Sequence, residues 1–381
     1  MIDIPFGRPD ITDVDREAVM RVLNGHILTH GPECKAFETE FSSFLGAGAN
    51  SVTVSSCMAA LHLAYLHMKL GPGDEVIAPA CTHVATVHAI EWVGAKPVLV
   101  DPDPATGNLT ARGIEAAITP RTKAVGLVHF VGIPCEMDEI VELCERKNLA
   151  LVEDCAIAIG ARYKGKHVGL FGDYGTFSFY PVKHITTGEG GMFLSRNAEL
   201  AAQIARLRAF GVDRTHSERS IPGMYEVPSL GLNYRMSEMQ AALGRTQTAK
   251  LGKLLDARKA NFTALKHELS TVDNVRILDS QHAHAVNSHY CAVLVLEGKF
   301  ARQRNEIIGD LNARGIGTSI YYPQPVPRMK YYRDKYGYDG DAFPNATEIS
   351  DCGIALPVGP HLGAGEMKQI GDAVKAVLAA R

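Results

Sequence analysis

Short β-rich apolar runs alternate with amphipathic helical stretches through the first 155 or so residues, and this restricts the fold more than any other feature. Residues 52–55 read as a strand, and Leu61, Leu63, Leu66 and Leu70 recur at helical spacing across 58–70. A second strand is expected over 75–78, a helix over 85–93 and a third strand over 97–100. The runs KAVGLVHF (123–130) and LALVE (149–153) are apolar enough to be buried on both faces, with a helix over 137–147 between them. Such alternation specifies an α/β fold, a mostly parallel sheet covered by helices. Ligands of such sheets collect beyond the carboxyl ends of the strands. The residues that follow each strand are therefore the candidates for chemistry.

Residues 197–269 read as mainly helical, most strongly over 236–254. After about 275 a strand over 290–296 and helices over 303–314 and 365–379 are expected. This pattern suggests a large domain over 1–250 and a smaller C-terminal α+β domain over 251–381, with the N-terminal segment packing near the latter. No linker of Pro, Gly and Ser separates them, so a shared cleft is the natural substrate site. A net charge of −3 argues against a nucleic-acid or anionic-membrane partner, which clustered Lys and Arg would hold. No run of 18 or more apolar residues occurs, which argues against a membrane span. The first residues carry acids where a signal peptide needs a basic start, so the expected location is the cytoplasm. The eight cysteines include no CxxC pair and read as reduced packing thiols.

The densest constellation is GDYGTFSFYPVKHITTGEGG (172–191), where Lys183 sits among apolar and small residues. A lysine partly removed from water loses basicity, as a Schiff-base amine requires. Asp154 stands at the end of the LALVE strand, about 30 residues earlier. An acid at a sheet's carboxyl edge followed by an isolated lysine is the arrangement pyridoxal phosphate needs: the acid keeps the ring nitrogen protonated and the lysine holds the aldehyde carbon.

The run EDCAIAIGARYKGKHVGLFGDYGTFSFYPVKHITTGEGG resembles the signature of the DegT/DnrJ/EryC1/StrS family of sugar aminotransferases. Three further blocks are similar to the family in the expected order: GDEVIAPACTHVATVHAI (73–90), GLNYRMSEMQAALG (231–244) and YYPQP (321–325). The resemblance implies the aspartate-aminotransferase-like fold type I and pyridoxal 5′-phosphate as cofactor. It implies that Lys183 bonds the cofactor and carries the proton, that Asp154 pairs with the pyridinium and that Ser178 binds the phosphate. It further implies that Asn233 reaches the phosphate of a neighbouring subunit, hence a homodimer with shared active sites, and that His83 stacks on the ring.

Three positions depart from the family pattern. The phosphate loop reads Ser56-Cys57-Met58-Ala59, so the backbone of Cys57, Met58 and Ala59 at a helix start is expected to hold phosphate. Ile157 occupies the place of a glutamine near the cofactor's phenolic oxygen and cannot make that hydrogen bond. His83 replaces the usual Phe, Trp or Tyr.

Competing motifs are weak. GARYKGKH (160–167) nearly matches a GxxxxGK[ST] loop but ends in His167. His282 and His284 form an HxH pair without an evident third ligand, which reads as a surface feature. The resemblance therefore implies transfer of an amino group, with glutamate as donor, to a keto-sugar. The ITTGEGGM stretch (185–192) resembles C4 aminotransferases of the perosamine-synthase type, pointing to a nucleotide-linked 4-keto-6-deoxy sugar. Asn287-Ser-His-Tyr290 instead resembles the 3-amino-5-hydroxybenzoate-synthase and cyclitol aminotransferases. A non-catalytic regulator that binds the cofactor is a third reading.

Overall fold

The computed structural model describes residues 3–213, 221 and 223–381. In chain order its strands are β1 (Asn50–Val54), β2 (Glu75–Pro79), β3 (Lys96–Val100), β4 (Thr122–Val128), β5 (Ala150–Asp154), β6 (Arg162–Tyr163), β7 (Lys166–His167), β8 (Tyr174–Ser178), β9 (Gly191–Ser195), β10 (Val275–Ile277), β11 (Ala285–Val286), β12 (Ala292–Leu296) and β13 (Gly353–Leu356). Seven form one sheet in the order β1-β9-β8-β5-β4-β2-β3. Strands β8, β5, β4, β2 and β3 pair in parallel, while β9 runs antiparallel to both neighbours. Strands β2 and β8 are buried throughout, and β4 and β5 nearly so, because helices cover both faces.

The expected strands and helices of the first half are present to within a few residues. The helix Met137–Lys147 shows why: Asp138 and Glu139 open it, Arg146 and Lys147 close it, and Asn148 ends it in the left-handed conformation. The second half departs from expectation in two places. Among the described residues between 208 and 237 there is no helix, because Gly211, Pro228 and Gly231 interrupt the pattern. The segment expected over 236–254 is two helices, Glu238–Ala249 and Leu251–Glu268, separated at Lys250. Strands β8 and β9 flank the 172–191 constellation and are additional to the expected elements.

A second sheet, β10-β12-β13, is packed by the helices Leu251–Glu268, Arg304–Ala313 and Pro344–Cys352, with Ala364–Ala379 packed on the first two of these. One hydrophobic cluster contains Val54, Leu61 and Val152 of the large sheet layer together with Leu294, Ile354 and Leu356 of the small one. The N-terminal segment joins this part through a parallel bridge between Ile4 and Ile316. Among the described residues no helix is long and apolar enough to cross a membrane. All eight cysteines are free thiols, seven of them buried.

Candidate active site

The sheet order brings five strand ends together. The carboxyl ends of β1, β2, β4, β5 and β8 share one edge, and because β9 is reversed its first residue lies there too. Gly191 is thus paired with both Val54 and Ser178. A Cβ on Gly191 would stand 2.4–2.6 Å from the backbone of Ser56 and Cys57, so only glycine lets these two segments meet.

The helix Cys57–His67 starts at that contact. Ser56 Oγ accepts the Ala59 N–H (3.1 Å), which caps the helix. The N–H groups of Cys57 and Met58 belong to the first turn and have no acceptor within the helix, so they face the edge with the positive end of the dipole. Ala59, expected to act beside them, gives its N–H to the cap instead. Ser178 is buried at the end of β8, where its Oγ accepts the Tyr180 N–H (3.4 Å).

Asp154 ends β5 at 5% exposure. Its Oδ2 accepts the Thr86 hydroxyl (2.8 Å), its Oδ1 accepts the Ala156 N–H (3.0 Å), and the Cys57 thiol lies 3.8 Å from Oδ1. Burial, reinforced by the Asp154 charge, pushes the Cys57 thiol well up, so it stays a neutral S–H. Beneath Asp154, the fully buried Glu153 accepts from His129 Nε2 (3.0 Å) and from the N–H groups of Gly169, Phe171 and Gly172 (2.6–2.7 Å). Burial alone would raise this carboxyl, but His129 and the backbone donors outweigh it and hold it below the usual range. This network fixes the carboxyl ends of β4 and β5 to each other.

Lys183 lies on the loop joining β8 to β9. Three main-chain bonds close that loop: Phe179 N–H to Gly190 O (3.0 Å), Thr187 N–H to Phe179 O (3.0 Å) and Lys183 N–H to Tyr180 O (2.9 Å). The Lys183 ammonium stands 5.3 Å from the centre of the Tyr290 ring. Burial lowers its pKa, and the nearby Asp154 carboxylate partly opposes that fall. The Tyr290 hydroxyl meets that of Tyr321 (2.7 Å), and its carbonyl accepts from the buried Arg258 (2.8 Å).

The remaining expected residues fall in different places. His83 is exposed and caps the helix Val84–Trp92, its Nδ1 accepting the Ala85 N–H (3.1 Å) with the ring edge-on to Tyr322 (5.6 Å). Ile157 is buried at 2% exposure and only its carbonyl bonds, to the Ser288 hydroxyl (3.0 Å). Asn233 is exposed and bridged to Ala209, and its neighbour Tyr234 accepts the Ser55 N–H (2.8 Å) just before the Ser56–Ala59 turn. Thr86 and Tyr290 were missed as site residues. Thr86 follows the end of β2, where the topology rule pointed, whereas Tyr290 arrives from just before β12 of the small sheet and was marked in the sequence only by the Asn287–Tyr290 resemblance, not by a role at the site. His167 is structural: buried, it accepts the Gly160 N–H at Nε2 (2.8 Å).

A buried acid and a poorly basic lysine at one sheet edge, beside a free helix start, are features of a known group of enzymes. The DegT/DnrJ/EryC1/StrS aminotransferase family matches residues 9–375. The chain belongs to this family. An uncharacterized protein of Methanocaldococcus jannaschii is 35% identical over 98% of this chain and 97% of its own. A Streptococcus pneumoniae protein assigned as a sugar aminotransferase, in its PMP form, superposes with a TM-score of 0.94 at 28% identity, covering 99% of this chain and 100% of that one. Helicobacter pylori PseC, an aminotransferase involved in pseudoaminic acid biosynthesis, does so at 0.93 and 26% identity, covering 99% and 100%. The fold is therefore fold type I, and the cofactor of this sugar aminotransferase family is pyridoxal phosphate.

Proposed function

We propose that this aminotransferase moves an amino group from glutamate to the C4 ketone of a nucleotide-linked 6-deoxy sugar. The observation that carries the reading is Asp154: a buried carboxylate with two donors and a thiol about it, sharing its pocket with an amine of lowered basicity. The donor set suits pyridoxal phosphate, with an anion for a pyridinium, an amine for an aldehyde, and free N–H groups at a helix start for a phosphate. When bound, the cofactor supplies an electron sink for the carbon that loses or gains a proton.

In this proposal Lys183 holds the cofactor and then moves a proton on and off the reacting carbon. The closed β8–β9 loop aims its amine, and burial lowers its basicity in the direction a base near neutral pH needs. Asp154 stabilises positive charge at the far end of the ring, with Thr86 and Ala156 fixing its orientation. Cys57, Met58 and Ser178 hold the phosphate. His83 forms one wall, and Ile157 packs the floor.

The same proposal assigns a homodimer and a cytoplasmic location, with a division near residue 250. Phe210, Met224, Val227 and Leu230 are 48–86% exposed on the segment that carries Asn233, a concentration of apolar surface that a second copy would cover. Asn233 then reaches the neighbouring subunit's phosphate site. The ITTGEGGM stretch supports the nucleotide-sugar acceptor, and the likeness to the Streptococcus pneumoniae sugar aminotransferase supports a sugar as the acceptor.

The test is a pair of half-reactions on the purified, cofactor-loaded chain. Glutamate should yield 2-oxoglutarate, and mass spectrometry should show a 4-keto-6-deoxy sugar nucleotide gaining an amine. Release of 2-oxoglutarate with no amination of any keto-sugar nucleotide would refute the acceptor, and no 2-oxoglutarate would refute the donor.

A further inference from the structure

The HxH pair acquires a third partner in the fold. Glu136, immediately before the helix Met137–Lys147, places Oε1 3.3 Å from His282 Nε2 and Oε2 3.4 Å from His284 Nε2. The ligand atoms of all three lie within 4.8 Å of one another. The two imidazoles are stacked, 24° between planes with centres 5.3 Å apart, so both present Nε2 to one spot. We propose that Glu136, His282 and His284 bind a divalent first-row transition ion, with zinc the fitting probe.

The distances carry the argument. Zinc holds nitrogen and oxygen at about 2.0–2.1 Å, so adjacent ligand atoms on a tetrahedron lie about 3.3 Å apart. Each imidazole nitrogen stands about one such edge from a Glu136 oxygen, Oε1 for His282 and Oε2 for His284, and one ligand atom from each residue falls within 4.8 Å of the others before any ion is added. Two imidazoles and one carboxylate suit zinc and its neighbours rather than calcium or magnesium, which take oxygen ligands. All three side chains are 36–49% exposed, which leaves room for water at a fourth position.

The surroundings orient the ligands. The Tyr163 hydroxyl donates to Glu136 Oε2 (3.2 Å), and the Tyr163 ring holds His284 edge-on at 4.8 Å. Outer contacts of this kind tune metal affinity. The nearby Lys164 ammonium is paired with Asp138 and does not stand unopposed.

The ion would act as a clip between distant parts of the chain. Glu136 is 148 residues from His284, and β11, pairing with β6, begins at the next residue. The chain then runs through Ser288, which bonds Ile157 O and Gly132 O, to Tyr290 beside Lys183. Tying residues 282–284 to Glu136 would steady the segment that delivers Tyr290.

The test uses tag-free, cofactor-loaded protein stripped with a chelator and titrated with Zn2+ and Co2+. The wild type should bind one ion per chain beyond the His282→Ala/His284→Ala double variant, with Co2+ giving visible d–d bands that the variant lacks. Tyr163→Phe should weaken binding about tenfold. Zn2+ should raise the Tm of the wild type and slow hydrogen exchange over residues 280–290, but leave the variant unmoved. Equal stoichiometry and affinity in wild type and double variant would overturn the assignment. None of these readouts depends on aminotransferase activity.

Discussion

Thr86 Oγ1 lies 2.8 Å from Asp154 Oδ2, a hydrogen bond that ties the helix after β2 to the end of β5 two strands away. A hydrogen bond to a charged group contributes about 1.5–3 kcal/mol. Thr86→Val keeps the shape and removes the donor, so kcat/KM should fall about 10- to 100-fold, with weaker cofactor retention. Serine at this position should restore most of the loss. If the valine variant keeps wild-type kinetics and cofactor affinity, Thr86 does not position the acid.

Asp154→Asn removes the charge and keeps the size. Turnover should drop by about 10³-fold or more, since charge stabilisation at a dry site is worth several kcal/mol. Near-normal single-turnover rates with glutamate would exclude the proposed pairing with the ring.

Lys183→Ala should leave folding intact, because the loop is closed by main-chain bonds of Phe179, Thr187 and Lys183 itself. Borohydride trapping should then yield no lysyl adduct, and 2-oxoglutarate production should become undetectable. Continued turnover in this variant would place the base elsewhere.

Gly191→Ala puts a methyl within 2.4–2.6 Å of the Ser56–Cys57 backbone. Overpacking of this kind costs about 1–3 kcal/mol. The chain should unfold at lower denaturant, and its affinity for the phosphate of the cofactor should fall with the displaced helix start. Equilibrium unfolding and cofactor titration report the two effects separately.

His167 is buried with its pKa lowered to about 4 by desolvation, from an ordinary 6.5. Between those values the unfolded chain takes up a proton that the folded chain refuses. Stability from this group is complete above about pH 6.5 and is lost as pH falls toward 4, by up to about 1.4 kcal/mol per pH unit. His167→Asn should be less stable at pH 7 yet show a shallower slope between pH 6.5 and 4 in urea melts. An unchanged slope would show that His167 does not titrate in this window.

The local chemistry of the sequence was enough for much of this protein. Uninterrupted apolar runs marked β4 and β5, because strands covered on both faces have no polar side to hide, and the stretch between them marked the helix Met137–Lys147. Lys183 could be singled out because it stands among apolar and small residues, and Asp154 because it ends an apolar strand at the sheet's carboxyl edge. Tertiary structure decided what local pattern cannot encode. The reversal of β9 sets Gly191 against Ser56, the placing of β2 two strands from β5 lets the helix that follows β2 give Asp154 its Thr86, and the small sheet carries Tyr290 to Lys183 across more than 100 residues. Each of these contacts depends on how separate elements pack, and no interval of sequence contains both partners.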